Sequence, residues 1–313
     1  MKYEYAIIVR NKTRLESLIE RFNTASQARF YIESMGGDFS DYVSEHEVFQ
    51  DALATLQSRL TPIIKNKLIE RRYVPSYLFS EKNIIVVVGQ DGLVANTAKY
   101  ARGQPIIAVN PDKKRYDGVL LPFDTETFAT GVTDLLEDRS AEKIMRFAEA
   151  RLNDGQRLLA FNDLFIGPST HISARYRISY NNLAEQHSSS GIIVSTMAGC
   201  TGWMSSVFNM AYGVAGVFEK DLQLKWPTIR ADELLFAVRE PFKSITSQTG
   251  INAGVLNDDY KLVVESLMPA HGIIFSDGIE KDFLHFNSGA IATIGLAPER
   301  ARLVIPGVRE ATR

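Results

Sequence analysis

Cysteine is almost absent: Cys200 is the single one in 313 residues. That excludes an intrachain disulfide and any zinc site built from several thiolates, and it fits a reducing compartment. In its polar surroundings Cys200 reads as small filler. Neither sign of charge is in excess, with 35 basic against 37 acidic residues and a formal net charge of -2. Nothing in that balance offers a bulk footprint for nucleic acid or an anionic membrane. No apolar run approaches the ~20 residues of a membrane span, and the short run Tyr5–Val9 lacks the length and cleavage pattern of a signal peptide, so it reads as a first strand. These absences predict a soluble, cytoplasmic protein. Missing too are a Walker A sequence and a G-x-G-x-x-G fingerprint. The five histidines, at 46, 171, 187, 271 and 285, show no ligand spacing such as H-x-x-x-H, so no metal ligand is assigned. A phosphate cradle, if there is one, must come from another kind of loop.

What is present suits two cores, with 45% hydrophobic and 23% charged residues. Leu15, Leu18, Ile19 and Phe22 recur at helical spacing after Thr13, and a second helix is expected over 45–60, stopping near Pro62. Lys65–Arg72 is charged and should be solvated. The β-branched run Ile84–Val88 reads as a strand covered on both faces, succeeded by a helix over 93–101 and a strand over 105–110. That is a strand-helix-strand unit of a parallel sheet. The acidic-basic stretch 136–143 is expected to be an exposed helix near a domain boundary.

After Asn153 the pattern changes. Tyr176, Ile178 and Tyr180 alternate with Arg175, Arg177 and Ser179. Short strand-like runs come next at 191–196, 234–239, 260–267, 272–275, 283–286, 290–294 and 302–305, with one helix over 204–218. Asp277 and Gly278 read as a hairpin turn between two of these runs, with direct ligand contact as the alternative. The expected fold class is α/β plus all-β: an N-terminal α/β domain, 1–145, and a C-terminal antiparallel β-rich domain, 146–313.

Three segments carry candidate chemistry. The strand 84–88 ends on Gly89-Gln90-Asp91-Gly92. Strands of this type place the residues after them in a crevice at the carboxyl ends of the sheet, and glycines beside a carboxylate allow main-chain N–H groups to approach a phosphate. The plain alternative is a strand-to-helix turn with Asp91 near the helix cap. In the apolar run 158–166, Asn162 and Asp163 interrupt a buried strand. They either mark a turn or hold something polar, because an unpaired buried amide or carboxylate is costly. Third, the strand 192–194 runs into Ser195, Thr196, Gly199, Thr201, Gly202, Trp203, Ser205 and Ser206. Hydroxyls, glycines and one aromatic suit a sugar or phosphate site beside a flat group, or else a polar loop anchored in the core by Trp203.

Together, and in this order, the segments resemble the NAD kinase family. The likeness is to its G-G-D-G, its N-E or N-D pair and its S-T-x-x-G-S-T-A-Y-type segment, and it is nearest to the mitochondrial type and its bacterial relatives. Further marks are Ala108–Asp112, Phe161–Gly167, Ser189–Gly191, Leu235–Pro241 and Phe286–Ile294, so the resemblance covers the chain from about Asn23 onward. A G-G-D-G alone would also admit lipid kinases and phosphofructokinases.

The resemblance implies a Rossmann-like α/β domain and a β-rich domain of the NAD kinase and diacylglycerol kinase type, usually within a homodimer or larger homo-oligomer. It implies transfer of the γ-phosphate of ATP, with Mg²⁺ or Mn²⁺, to the 2′-hydroxyl of the adenosine ribose of NAD. Asp91 would orient that hydroxyl and accept its proton. Gly89, Gln90 and Gly92 match the phosphate loop. Asn162, Asp163, Thr201, Gly202, Trp203 and Ser206 match dinucleotide-binding positions, with Trp203 where many relatives carry tyrosine. Three residues depart from the family pattern: Gln90 for the second glycine, Leu93 for threonine and Ser190 for an aspartate. Gln90 cannot visit positive φ cheaply and Leu93 lacks a hydroxyl, so both bear on ATP affinity and donor choice. The alternatives are a lipid or sphingoid kinase of the same superfamily and a non-catalytic NAD-binding relative.

Overall fold

The described chain divides into two compact units, residues 2–144 together with 301–307, and Met145–Arg300. The structure is a computed structural model that describes residues 2–218 and 227–307.

In the first unit the chain runs β1 (Tyr5–Arg10), α1 (Arg14–Phe22), α2 (Ala25–Ser34), α3 (Phe39–Leu60), β2 (Lys65–Glu70), β3 (Asn83–Val88), α4 (Asp91–Ala98), β4 (Pro105–Asn110), β5 (Phe123–Asp124) and α5 (Phe128–Leu136). The sheet order is β2-β1-β3-β4 with β5 beyond β4, and every pair is parallel. β3 is buried along its whole length, as an unbroken β-branched run requires. Helix α1 begins on a reciprocal cap: the Thr13 hydroxyl accepts from the Glu16 N–H, and the Glu16 carboxylate accepts from the Thr13 N–H at 2.8 Å. The charged stretch 65–72 is solvated, but as an edge strand leading into a 3₁₀ turn. The core beneath the sheet gathers Ile8, Leu56, Leu60, Val86, Val109, Phe128 and Val132.

The second unit begins within β6 (Ala141–Leu152) and continues through β7 (Arg157–Ala160), β8 (Asp163–Pro168), β9 (Ala174–Tyr180), β10 (Leu183–Ser189), β11 (Ile192–Thr196), α6 (Trp203–Phe218), β12 (Leu234–Val238), β13 (Ala253–Leu256), β14 (Leu262–Ser266), β15 (Gly272–Ser276), β16 (Ile279–His285) and β17 (Ile291–Ile305). One antiparallel path runs β10-β9-β14-β17, with β6 pairing β17 and β7; a second sheet has the order β13-β12-β11-β8-β15-β16. Along β9 the alternation holds, with Tyr176 and Ile178 buried and Arg175 and Arg177 exposed. The inner faces of both sheets meet in a core that includes Ile166, Tyr176, Ile178, Val194, Phe236, Val264, Ile274 and Ile294.

Two expectations are corrected. The stretch 136–143 is not an exposed helix: α5 ends at Leu136, and Ala141 already belongs to the twelve-residue strand β6. Pairing with β17 and β7 overrides a charge pattern that favours helix. The runs at 290–294 and 302–305 are one fifteen-residue strand, β17, which pairs with β14 at one end and with Pro105 and Ile106 of β4 at the other.

Candidate functional site

The predicted residues fall into two groups, one in each unit. In the first, β3 delivers Gly89 to Asp91 at its carboxyl end, and Asp91 is the first residue of α4. Gly89 has φ 155°, and a Cβ there would stand 3.0 Å from Leu93 Cδ2, so glycine is needed at this position. Gln90 is the exposed N-cap, with φ -101° and ψ 164°, ordinary extended backbone that carries no strain. The expected penalty for lacking a second glycine is therefore absent. Gly92 is exposed, has no positive φ, and would meet nothing within 4 Å if it bore a Cβ. Leu93 is buried under Gly89, so it belongs to packing and not to a phosphate-facing surface.

The Asp91 carboxylate accepts from the Leu120 N–H at 2.7 Å. That donor sits on the loop after β4, whose shape depends on Asn110. The Asn110 amide donates to the Tyr116 carbonyl at 3.0 Å and its Oδ1 accepts from the Asp112 N–H at 3.0 Å. The loop is tied to α3 through Arg115, which pairs with Asp41 at 2.7 Å. Leu120 has no chemical signature in the sequence, because only its main chain takes part.

In the second unit, Asn162 and Asp163 form the corner from β7 into β8, as the turn reading of them expects. They mark a turn, and the turn is polar and half-buried. Its backbone is held by Asp277, whose carboxylate accepts from the N–H groups of Phe161 at 3.0 Å, Asn162 at 2.7 Å and Asp163 at 3.2 Å. Asp277 and Gly278 have φ 53° and 69°, the left-handed pair of a two-residue hairpin between β15 and β16. The hairpin was legible; the target of its carboxylate was not. From the other side, the Thr196 hydroxyl donates to the Phe161 carbonyl at 2.6 Å, and the Thr196 N–H donates to the Asn162 carbonyl at 2.9 Å. Gly199 closes the corner: a Cβ on it would lie 2.4 Å from the Asn162 carbonyl oxygen and 2.6 Å from Ser195 Oγ.

Asp163 Oδ1 is buried and has no hydrogen-bond partner. Burial pushes its carboxyl up to about 7, against the Ser195 hydroxyl, which favours the ionised form, and with the negative Asp277, which opposes it. Cys200 is half-buried against the aromatic cluster, and burial pushes its thiol up, in keeping with filler.

Thr201, Gly202 and Ser206 are exposed, flanking the start of α6. Trp203 is half-buried and stacks on Phe165, with ring centroids 5.5 Å apart and planes 14° apart, while the Arg239 guanidinium lies 5.4 Å from its ring centroid. It is thus an anchor of an aromatic cluster. Trp203 also lines a cavity of about 920 Å³ with Phe165, Arg239, His271, Phe275 and His285 among others. Asn162, Asp163, Thr201, Gly202 and Ser206 do not line that cavity.

No protein-family model and no curated protein sequence matches the chain. Solved structures do. An NAD kinase from Archaeoglobus fulgidus, solved in complex with ATP, is similar over 96% of this chain and 92% of its own, with a TM-score of 0.57 at 15% identity. Yeast NADH kinase, solved with NADH, is similar over 97% of this chain and 84% of its own, with a TM-score of 0.60 at 13% identity. The α/β unit with a parallel sheet, succeeded by antiparallel β-sheets, from one end of the chain to the other, is the two-domain fold of the NAD kinases.

Proposed function

We propose that the chain is an NAD kinase, which transfers the γ-phosphate of ATP to the 2′-hydroxyl of the adenosine ribose of NAD and yields NADP and ADP. The observation that carries this reading is the placement of Asp91. It opens α4 at the carboxyl end of a buried parallel strand, with its carboxylate held by a main-chain N–H, on a fold shared with an NAD kinase that binds ATP and a kinase that binds NADH. In the proposed step the ribose oxygen forms a bond to the γ-phosphorus, the bond from that phosphorus to its bridging oxygen breaks, and the hydroxyl proton passes to Asp91. A carboxylate is a weak base for an alcohol, so orientation of the hydroxyl and stabilisation of charge on the phosphoryl oxygens supply most of the acceleration.

Gly89 and Gly92 leave the main chain at the start of α4 approachable by phosphate, where helix N–H groups point outward. Mg²⁺ enters as part of the triphosphate substrate. Among the described residues no group of three or more His, Cys, Asp or Glu is placed to hold a metal ion. The corner at Asn162 and Asp163, with the 201–206 segment, binds the dinucleotide. A homo-oligomer and a cytoplasmic location go with this reading. Among the described residues no helix is long and apolar enough to cross a membrane.

The unstrained Gln90 favours catalysis over the non-catalytic NAD-binding alternative, which depended on damage to the phosphate loop. The polar 195–206 segment speaks against a lipid or sphingoid acceptor. A coupled assay for NADP, run with NAD and NADH against ATP, other triphosphates and polyphosphate, tests the proposal. Mg²⁺-dependent product is expected with at least one donor. NAD binding by calorimetry without product from any donor would overturn it.

A further inference from the structure

Two carboxyl groups of the second unit are neighbours with opposite provision. Asp277 receives three main-chain N–H donors, from Phe161, Asn162 and Asp163. Asp163 keeps a buried Oδ1 with no donor at all. Strand pairing sets them together, because Ser276 pairs with Leu164 and the Asp277 N–H donates to the Asp163 carbonyl at 3.0 Å. A negative charge is favoured where N–H groups converge on it and is penalised where burial leaves it unpaired. Burial without a donor to Oδ1 therefore penalises the ionised form of Asp163.

We propose that Asp277 is the positioning residue of this corner, fixing the Asn162–Asp163 backbone so that burial, with the Asp277 charge adding to it, keeps Asp163 a neutral carboxyl that offers a hydrogen bond to an acceptor atom of the bound dinucleotide. The inference rests on the proposed NAD site, and it assigns that site a preference: Asp163 recognises a ring nitrogen or a hydroxyl oxygen as donor to it, where an ionised carboxylate would demand an N–H or O–H from the ligand. Of the groups facing Asp163, the Ser195 hydroxyl alone favours the ionised form, and burial outweighs it. From β11 comes the Ser195 hydroxyl, from the β15–β16 turn Asp277, and from the turn at 199–201 the Cys200 thiol. No lysine, arginine or histidine among the described residues contributes to its ionisation. The elevation of the Asp163 carboxyl to about 7 supports the geometry.

The test has two arms. In the ligand-free protein, carbon-13 NMR of labelled aspartate carboxyls should show one group titrating near neutrality that is missing from Asp163→Asn and moves down in Asp277→Asn. Asparagine is among the few residues at ease with positive φ, and its amide oxygen can keep accepting from residue 162, so that variant retains the turn. The comparison of wild type with Asp163→Asn stands even if it does not fold. In the second arm, calorimetry should show NAD affinity falling as pH rises through 7, with a slope approaching tenfold per pH unit above it, and that limb should disappear in Asp163→Asn. An Asp163 that titrates with ordinary carboxylates, or one that ignores Asp277→Asn, overturns the inference, as does NAD affinity independent of pH from 5.5 to 8.5. Failure to bind NAD at any pH alongside a neutral-range Asp163 titration instead refutes the NAD kinase reading and leaves the positioning role of Asp277 supported.

Discussion

At the scale of single residues, the chemistry rests on side chains that are held by main-chain groups. The Leu120 N–H fixes Asp91, and the Asp277 carboxylate fixes the backbone of three residues at once. Asp91→Asn keeps the shape and the acceptor oxygen but removes the base. Turnover should fall by ~10²-fold or more while NAD affinity stays within a few-fold, read by steady-state kinetics beside calorimetry. Near-normal turnover would make Asp91 a helix-end acid and nothing more. Gly199→Ala addresses the other group of residues. Its Cβ would collide with the Asn162 carbonyl oxygen, which is main chain and cannot swing aside. The variant should lose ~1–3 kcal/mol of stability and bind NAD more weakly, because relief of the clash moves the corner itself. A thermal midpoint equal to that of wild type would show that the corner yields freely.

At the scale of elements, α4 is the helix that Asp91 opens, and it starts without help from its cap. Gln90 occupies the N-cap in extended conformation with no side-chain hydrogen bond to the helix. Short hydroxyl or carboxamide side chains accept from the first-turn N–H groups, whereas glutamine is a methylene too long to do so well. Gln90→Ser should therefore raise stability by ~0.5–1 kcal/mol in a denaturant titration. It should also alter KM for the phosphate donor more than KM for NAD, since in the proposed reading the capped N–H groups are those that would face phosphate. An equal change in both would place the donor elsewhere. The contrast with α1 is instructive: Thr13 and Glu16 spell a capping box that is legible at four-residue range, and the structure contains it. Helix α2 has a Thr24 cap that accepts from the Gln27 N–H at 3.2 Å but lacks the second mark, an apolar stripe. It buries only Ala28, so no apolar stripe announces it.

For the whole molecule, the pH dependence of stability has two limbs of opposite sign. Hydrogen bonds from Arg115 and Arg14 hold Asp41 at about 2, and pairing with Arg157 holds Glu299 below the usual carboxylate range. Groups of this kind contribute stability that is present above the ordinary carboxylate pKa and is lost as pH falls through their lowered values. Asp163 works the other way. Its carboxyl is raised from 3.8 to about 7 in the folded chain. Between those values the unfolded chain has released a proton that the folded chain keeps, so stability falls as pH rises from about 4 to 7. The loss amounts to up to about 4 kcal/mol. Urea titrations across pH 4 to 8 should show the decline in wild type and a flatter profile in Asp163→Asn. An equal decline in both would assign it to other groups.

Local chemistry was enough for part of this molecule. An unbroken β-branched run has no polar face to show solvent, so Ile84–Val88 had to be a covered strand, and with it Asp91 had to lie just past a strand end. Alternation along 174–180, the capping box at Thr13 and the Asp277-Gly278 turn are likewise decided within a few residues by backbone preference and side-chain period. The remainder depended on partners distant in sequence. Stretch 136–143 carries helix-like charges and still enters a strand, because β17 is there to pair with β6. Two short apolar runs became one fifteen-residue strand for the same reason. That the carboxylate of a turn at 277 shapes a corner at 162, where burial raises the Asp163 carboxyl, is a matter of which groups converge in space. Convergence of that kind is decided by tertiary structure, since the burial and the neighbouring charge that tune a carboxyl arise only when the strands have come together.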